Sequence, residues 1–216
     1  MSRRKMDMKA EQALARFLDQ NLYEELRKEG HFSSIHRTDQ YEQQVSGIDV
    51  TMTYKADSVY IDEKAALYYI NQDLSTFAFE LSYQNRGEER LGWFLNDQLK
   101  TTHYLLLWPD ARTSDLSAIQ AEDFTVVDAL LISKAKLKAY LEPIGLDDHT
   151  LLECARILRQ RKVSGRQSIP QPGMSIYVSS SGKYSEAPIN LVIKKYILRQ
   201  IADAHYCITP NGFTRV

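Results

Sequence analysis

Asp49, Asp62 and Lys64 stand in the stretch "GIDVTMTYKADSVYIDEK" (residues 47–64): two acids and an amine inside segments whose alternation reads as strand, tight turn, strand. Placing Ala56 and Asp57 at the turn pairs Lys55 with Ser58 and Tyr54 with Val59. On that register Asp49 lies opposite Lys64 and Thr51 opposite Asp62, so the four side chains project from one face. The other face carries Ile48, Val50, Met52, Tyr54, Val59, Ile61 and Ala65, with Glu63 as its single misfit. A further strand at about 76–84 divides the same way, with Phe77, Phe79, Leu81 and Tyr83 on one side and Glu80 on the other. If the loop at 71–75 closes a second hairpin, Glu80 comes beside Lys64. Carboxylates gathered on one face offer oxygen ligands to a hard divalent cation, and Mg²⁺ keeps several waters and takes further ligands from phosphate. Such a cation offsets the repulsion between the acids. A lysine beside its water can orient or deprotonate that water, while the metal stabilises charge developing on a phosphodiester. The chemistry suggested is metal-assisted phosphodiester hydrolysis; the competing reading is a salt-bridge cluster on a solvated sheet face.

The elements that must position these residues begin with a long helix. Leu14, Phe17, Leu18, Leu22 and Leu26 recur at helical spacing from Ala10 to Glu29, and Gly30 marks its stop. Residues 31–43 read as polar and irregular, and strands are expected at about 45–54, 59–70 and 76–84, joined as an antiparallel meander. "GEERLGWFLNDQLKT" reads as a loop or short helix, and "THYLLLWP" as a buried strand ended by Pro109. Residues 125–161 read as mainly helical with a break near Pro143 and Gly145. "SGRQSIPQPG" is a loop, "MSIYVSSS" a strand, and "APINLVIKKYILRQIADAHY" a closing helix with Pro188 in its first turn. The expectation is an α/β fold with mixed pairing.

At 216 residues the chain fits a single domain over 1–216. With 44% hydrophobic and 25% charged residues it has a globular composition, and no apolar run approaches the roughly 20 residues of a membrane span. The start "MSRRKMDMKAEQALARFLDQ" lacks the apolar stretch of a secretory signal, so a cytoplasmic location is the default. Cys154 and Cys207 have no metal-ligand spacing and read as ordinary reduced thiols. A net charge of −1 confines nucleic-acid contact to local patches, such as Arg156, Arg159, Arg161, Lys162 and Arg166, or Lys194, Lys195 and Arg199. Such runs are more often a solvated helix face. The five histidines are not paired at metal-ligand spacing, and "SSSGKYS" (179–185) lacks the first glycine of a phosphate loop. Trp93, Phe94 and Trp108 have the chemistry of base-stacking platforms, but core packing is favoured.

Asp49, followed after twelve residues by Asp62-Glu63-Lys64, resembles the D…(D/E)-x-K signature of the PD-(D/E)XK nuclease superfamily, the restriction-endonuclease-like fold. An amphipathic helix upstream and "QVSGIDV" leading to the first aspartate also look like that superfamily. Ile48 stands where the motif's eponymous proline would be, and Glu63 is charged where an apolar residue is usual. The resemblance covers roughly residues 10–108, a nuclease-like core, with 125–216 as a helical and strand extension completing the fold. It implies a mixed sheet with an antiparallel three-strand meander flanked by helices. It also implies Asp49 and Asp62 as Mg²⁺ ligands (Mn²⁺ as substitute) and Lys64 as the catalytic lysine. Glu80 would join them by strand parity, as a catalytic residue and third ligand. Some members add a glutamate from the first helix: Glu25 is preferred here, with Glu24 and Glu11 as rivals, and Gln44 could approach through its amide. The expected activity is a Mg²⁺-dependent nuclease acting on DNA or RNA, with a homodimer compatible with duplex cutting. The alternative is a catalytically inactive nucleic-acid-binding or assembly protein on the same fold.

Overall fold

The leucine and phenylalanine stripe of the first segment does form a helix, but an interrupted one. A computed structural model describes residues 3–38, 45–55, 57–180 and 186–216. Helix α1 (Arg3–Leu18) passes into a π-helical turn (Asp19–Tyr23) and then α2 (Glu24–Glu29), which stops at Gly30 with φ 73°, the left-handed conformation that glycine adopts at little cost. The helix therefore starts earlier than expected, and the π turn, with Glu24 N–H bonded to Asp19 O, changes which face its second half presents.

The strands, in chain order, are β1 (Ser34–Arg37), β2 (Val50–Tyr54), β3 (Asp57–Ala65), β4 (Thr76–Asn85), β5 (Glu88–Leu91) and β6 (His103–Ala111). They continue with β7 (Phe124–Ser133), β8 (Gly165–Ser168), β9 (Met174–Val178), β10 (Ile189–Lys194), β11 (Ala204–Thr209) and β12 (Gly212–Arg215). Three further helices are α3 (Lys134–Leu141), α4 (Asp148–Gln160) and α5 (Lys195–Ile201). The chain divides into two compact units, Met1–Leu74 with Thr101–Ser133 and Ala202–Val216, and Ser75–Lys100 with Lys134–Ile201. Each unit thus draws on both sides of residues 108–125.

In the first unit the sheet order is β1-β2-β3-β6-β7-β11-β12 among the described residues. All pairs are antiparallel except β3 with β6, which run parallel. The helical stripe of Ala10, Leu14, Phe17, Leu18, Leu22 and Leu26 packs in one cluster with Val50, Met52, Ile61, Leu105, Leu107, Val127 and Ile208. Each large apolar side chain buried this way contributes about 1.5–3 kcal/mol. The second unit holds an antiparallel sheet of order β5-β4-β10-β9-β8, with Phe79 packed on Trp93 and Phe94 at ring-centroid distances of 5.5 and 5.2 Å.

Several expectations are corrected. The meander consists of β1, β2 and β3, because Ser34–Arg37 inside the supposedly irregular stretch forms an edge strand. The segment 76–84 does not pair with β3 at all; β4 lies between β5 and β10. Pro109 does not end its strand. Past Leu107, β6 has no further pair with β3, so a residue without an N–H is tolerated there, and the next N–H on that side, Ala111, donates to Asn71 Oδ1 at 2.9 Å. Residues 124–133 are strand, not helix: β7 sits between β6 and β11, and a strand covered on both faces loses its alternation. The closing helix splits in the same way, since Ile189–Lys194 is the strand between β4 and β9 and only Lys195–Ile201 is helical. The break at Pro143 and Gly145 is found, with Gly145 at φ 77° and Asp147 capping α4 by accepting the Thr150 N–H. No helix among the described residues is long and apolar enough to cross a membrane.

Candidate functional site

The β2–β3 hairpin has a register two residues away from the expected one: Tyr54 pairs with Asp57, Met52 with Val59 and Val50 with Ile61. The turn begins at Lys55, at φ 55°; Ala56 lies outside the described residues. A slip of two preserves parity, so Asp62 and Lys64 still share a face and Glu63 still points to the other. What changes is the neighbour of Asp49. It precedes the ladder, donates its N–H to Ile61 O at 2.8 Å, and its Oδ2 accepts the Glu63 N–H at 2.8 Å. Residues 62–64 lie beyond the last β2 pair, and Asp49 reaches over them.

Lys64 Nζ donates to Asp62 Oδ1 at 2.6 Å. Asp62 is 3% exposed, and its Oδ2 is buried with no hydrogen-bond partner. Burial first, and then the charge of Asp62, push the Asp49 carboxyl up to about 6 against the opposing pull of the Glu63 N–H and Lys64. From α1, Glu11 joins the group: burial, then Asp7 and Asp49, raise its pKa, while Lys64 lowers it. A cleft of about 480 Å³ is lined by Glu11, Arg37, Asp49, Glu63 and Lys64. Asp62 is not among the lining residues; it is buried and reaches the cleft through its contact with Lys64.

Glu63, the apparent misfit, is held by side chains from two other elements. Arg37 Nη1 and Nη2 donate to its Oε2 and Oε1 at 2.8 and 2.9 Å, and Tyr23 Oη donates to Oε1 at 2.8 Å. Arg37 Nε in turn donates to both oxygens of Asp19 at 2.8 Å. The π turn presents Asp19 and Tyr23, and β1 presents Arg37, so an acid on the core face is compensated on every side.

Of the sequence-derived site residues, Asp49, Asp62 and Lys64 come together. Glu80 sits on β4 opposite Asn190, and the β3–β4 hairpin that was to bring it beside Lys64 does not form. Glu25 pairs with Lys28 at 2.6 Å, and the helix acid at the cleft is Glu11. Its signal was its position three residues before Leu14 on the buried stripe. The preference for Glu25 assumed an uninterrupted helix. Gln44 and residues 181–185 of the glycine-lysine loop lie outside the described residues. Arg156 and Arg159 are engaged by Glu153, Glu89 and Ser82. Cys154 and Cys207 are free thiols, and Phe94 and Trp108 are core residues.

No group of three or more His, Cys, Asp or Glu among the described residues is arranged to hold a metal ion by itself. Mg²⁺ needs less, since one or two carboxylates suffice when substrate phosphate and water complete its shell. The unpartnered Asp62 Oδ2, with the reluctantly ionised Asp49 beside it, fits such a cation. Compared with known proteins, the chain matches no family model, no curated protein and no solved structure.

Proposed function

We propose that the protein is a divalent-metal-dependent nuclease of restriction-endonuclease-like architecture, hydrolysing phosphodiester bonds of DNA or RNA. The observation that carries this reading is the convergence of Asp49, Asp62 and Lys64, with one buried carboxylate oxygen of Asp62 unpartnered. The antiparallel β1-β2-β3 meander, the parallel β6 beside it and α1 on one face support the fold assignment.

In this reading Asp49 and Asp62 hold Mg²⁺, or Mn²⁺ in its place. When bound, the cation supplies Lewis-acid stabilisation of charge developing on the phosphodiester. Asp49 is oriented by the Glu63 N–H and lines the cleft. Lys64, held at Asp62 Oδ1 and lining the cleft, would orient an attacking water and stabilise negative charge on phosphate oxygens. Glu11 on the opposite wall, with its raised pKa, is the group suited to take up a proton.

The test is cleavage of a mixed pool of single- and double-stranded DNA and RNA with Mg²⁺, Mn²⁺ or EDTA. Metal-dependent cleavage that Asp62→Ala abolishes, with far-ultraviolet circular dichroism unchanged, supports the reading. Metal-dependent binding without cleavage by the native chain favours an inactive binding or assembly protein, and absence of both metal and nucleic-acid binding overturns the reading.

A further inference from the structure

Asp62 and Glu63 are adjacent acids on opposite faces of β3, and a one-residue slip of the strand would exchange them and carry Lys64 away from Asp49. The ladder with β2 ends at Ile61, so backbone pairing on that side does not extend to residues 62–64. On the other side each of them pairs with β6, Asp62 with Tyr104, Glu63 with Leu105 and Lys64 with Leu106, and on the β2 side the contacts come from a chain of side chains. Asp19 and Tyr23 grip Arg37 and Glu63, Arg37 makes a two-pronged ion pair to Glu63, and the Glu63 N–H holds Asp49. The Arg37 guanidinium also lies 5.6 Å from the centre of the Tyr23 ring. Glu63 is 10% exposed at its side chain and Arg37 26%, so the pair is largely sheltered from solvent. A sheltered ion pair of this kind adds little net stability over apolar residues of similar volume, and its best-attested use is to fix a register.

We propose that Arg37 is a positioning residue for the cleft: by clamping Glu63 to the core face on the β2 side, where the ladder has ended, it keeps the Glu63 N–H on Asp49 and so holds Asp49 beside Asp62 and Lys64. The consequence for metal binding rests on the nuclease reading; the clamp itself does not. Arg37 acts through Glu63 and touches none of the proposed ligands in the contacts described above.

The test replaces the clamp with apolar side chains, Arg37→Met with Glu63→Leu, and adds Tyr23→Phe so that no buried hydroxyl is orphaned. Hydrogen exchange at the residue 63 amide is measured in metal-free protein with Val59 and Ile61 as controls, and Mn²⁺ affinity by titration calorimetry. A folded variant whose residue 63 amide exchanges at least about tenfold faster, with the controls unchanged, supports the clamp. A loss of about 10–100-fold in Mn²⁺ affinity supports its role at the site. Unchanged exchange and affinity in a folded variant overturn the proposal. Should the triple variant not fold, Arg37→Lys keeps the charge but loses the fork, and the same two readouts apply. If the native chain binds no Mn²⁺, the metal reading fails while the exchange measurement still decides the clamp.

Discussion

In metal-free protein at pH 7.5, Asp49→Asn should raise stability, although it removes a charge from an ion-rich site. The carboxyl titrates near 6 in the fold because burial and Asp62 disfavour its ionised form, whereas in the unfolded chain it titrates as an ordinary aspartate near 3.9. Between those two values the fold binds the proton that the unfolded chain releases. The contribution of Asp49 to stability therefore falls as pH rises, beginning near 4 and ending above 6, by about 3 kcal/mol in all. An asparagine keeps an amide oxygen for the Glu63 N–H and carries no charge, so it escapes this loss, in which the attraction to Lys64 is already included. The gain at pH 7.5 is about 3 kcal/mol, or roughly 6–12 °C in Tm for a chain of this size. It should shrink on acidification and vanish below about pH 4. Thermal and urea melts in EDTA across pH 4–8 measure both quantities. A destabilised Asp49→Asn at pH 7.5, or a gain that does not change with pH, would refute the electrostatic account. Adding Mn²⁺ should reverse the order, stabilising the native chain and leaving the variant unmoved.

Other substitutions separate scaffold from site. Glu63→Ala leaves Arg37 half-buried with only Asp19 as counter-charge, and urea melts should show a loss of about 3 kcal/mol. A Cβ on Gly92 would lie 2.2 Å from the Glu80 carbonyl oxygen, so Gly92→Ala should cost at least about 2 kcal/mol by the same assay. Lys55 holds φ 55° in the hairpin turn, and Lys55→Gly should stabilise by about 1 kcal/mol without altering metal binding or cleavage.

The parity of the hairpin was legible in its alternation, and parity alone was enough to put Asp62 and Lys64 on one face. The turn was not: Tyr54 pairs with Asp57, not Val59, and a shift of two leaves the pattern of polar and apolar residues unchanged. Two strands, 124–133 and 189–194, read as helix because strands covered on both faces lack a period of two. The departure of β4 to another sheet is a long-range pairing with no local signal, and with it went the expected place of Glu80. Arg37 was missed because its strand has only four residues and one buried side chain, Ile35. Glu11 ranks in the sequence only as a rival of Glu25, because nothing in "DQNLY" announces the π turn that turns the second half of the helix.

Glu63 and Asp62 show why burial alone is a poor guide to which acid does chemistry. Both are withdrawn from solvent, at 10% and 4% side-chain exposure. Glu63 accepts two bonds from Arg37 and one from Tyr23, which fully accounts for a charged group on a core face. Asp62 accepts one bond from Lys64 and keeps its Oδ2 buried without a fixed donor, next to the Asp49 carboxyl, whose ionisation it opposes by its charge and by a hydrogen bond to the protonated form. Leaving such an oxygen unpaired costs on the order of 1–3 kcal/mol, and the Asp49 penalty adds to it. A divalent cation held by these carboxylates would offset both costs at once. The asymmetry between a satisfied acid and an unsatisfied one, one residue apart on the same strand, therefore singles out Asp62 independently of the sequence motif.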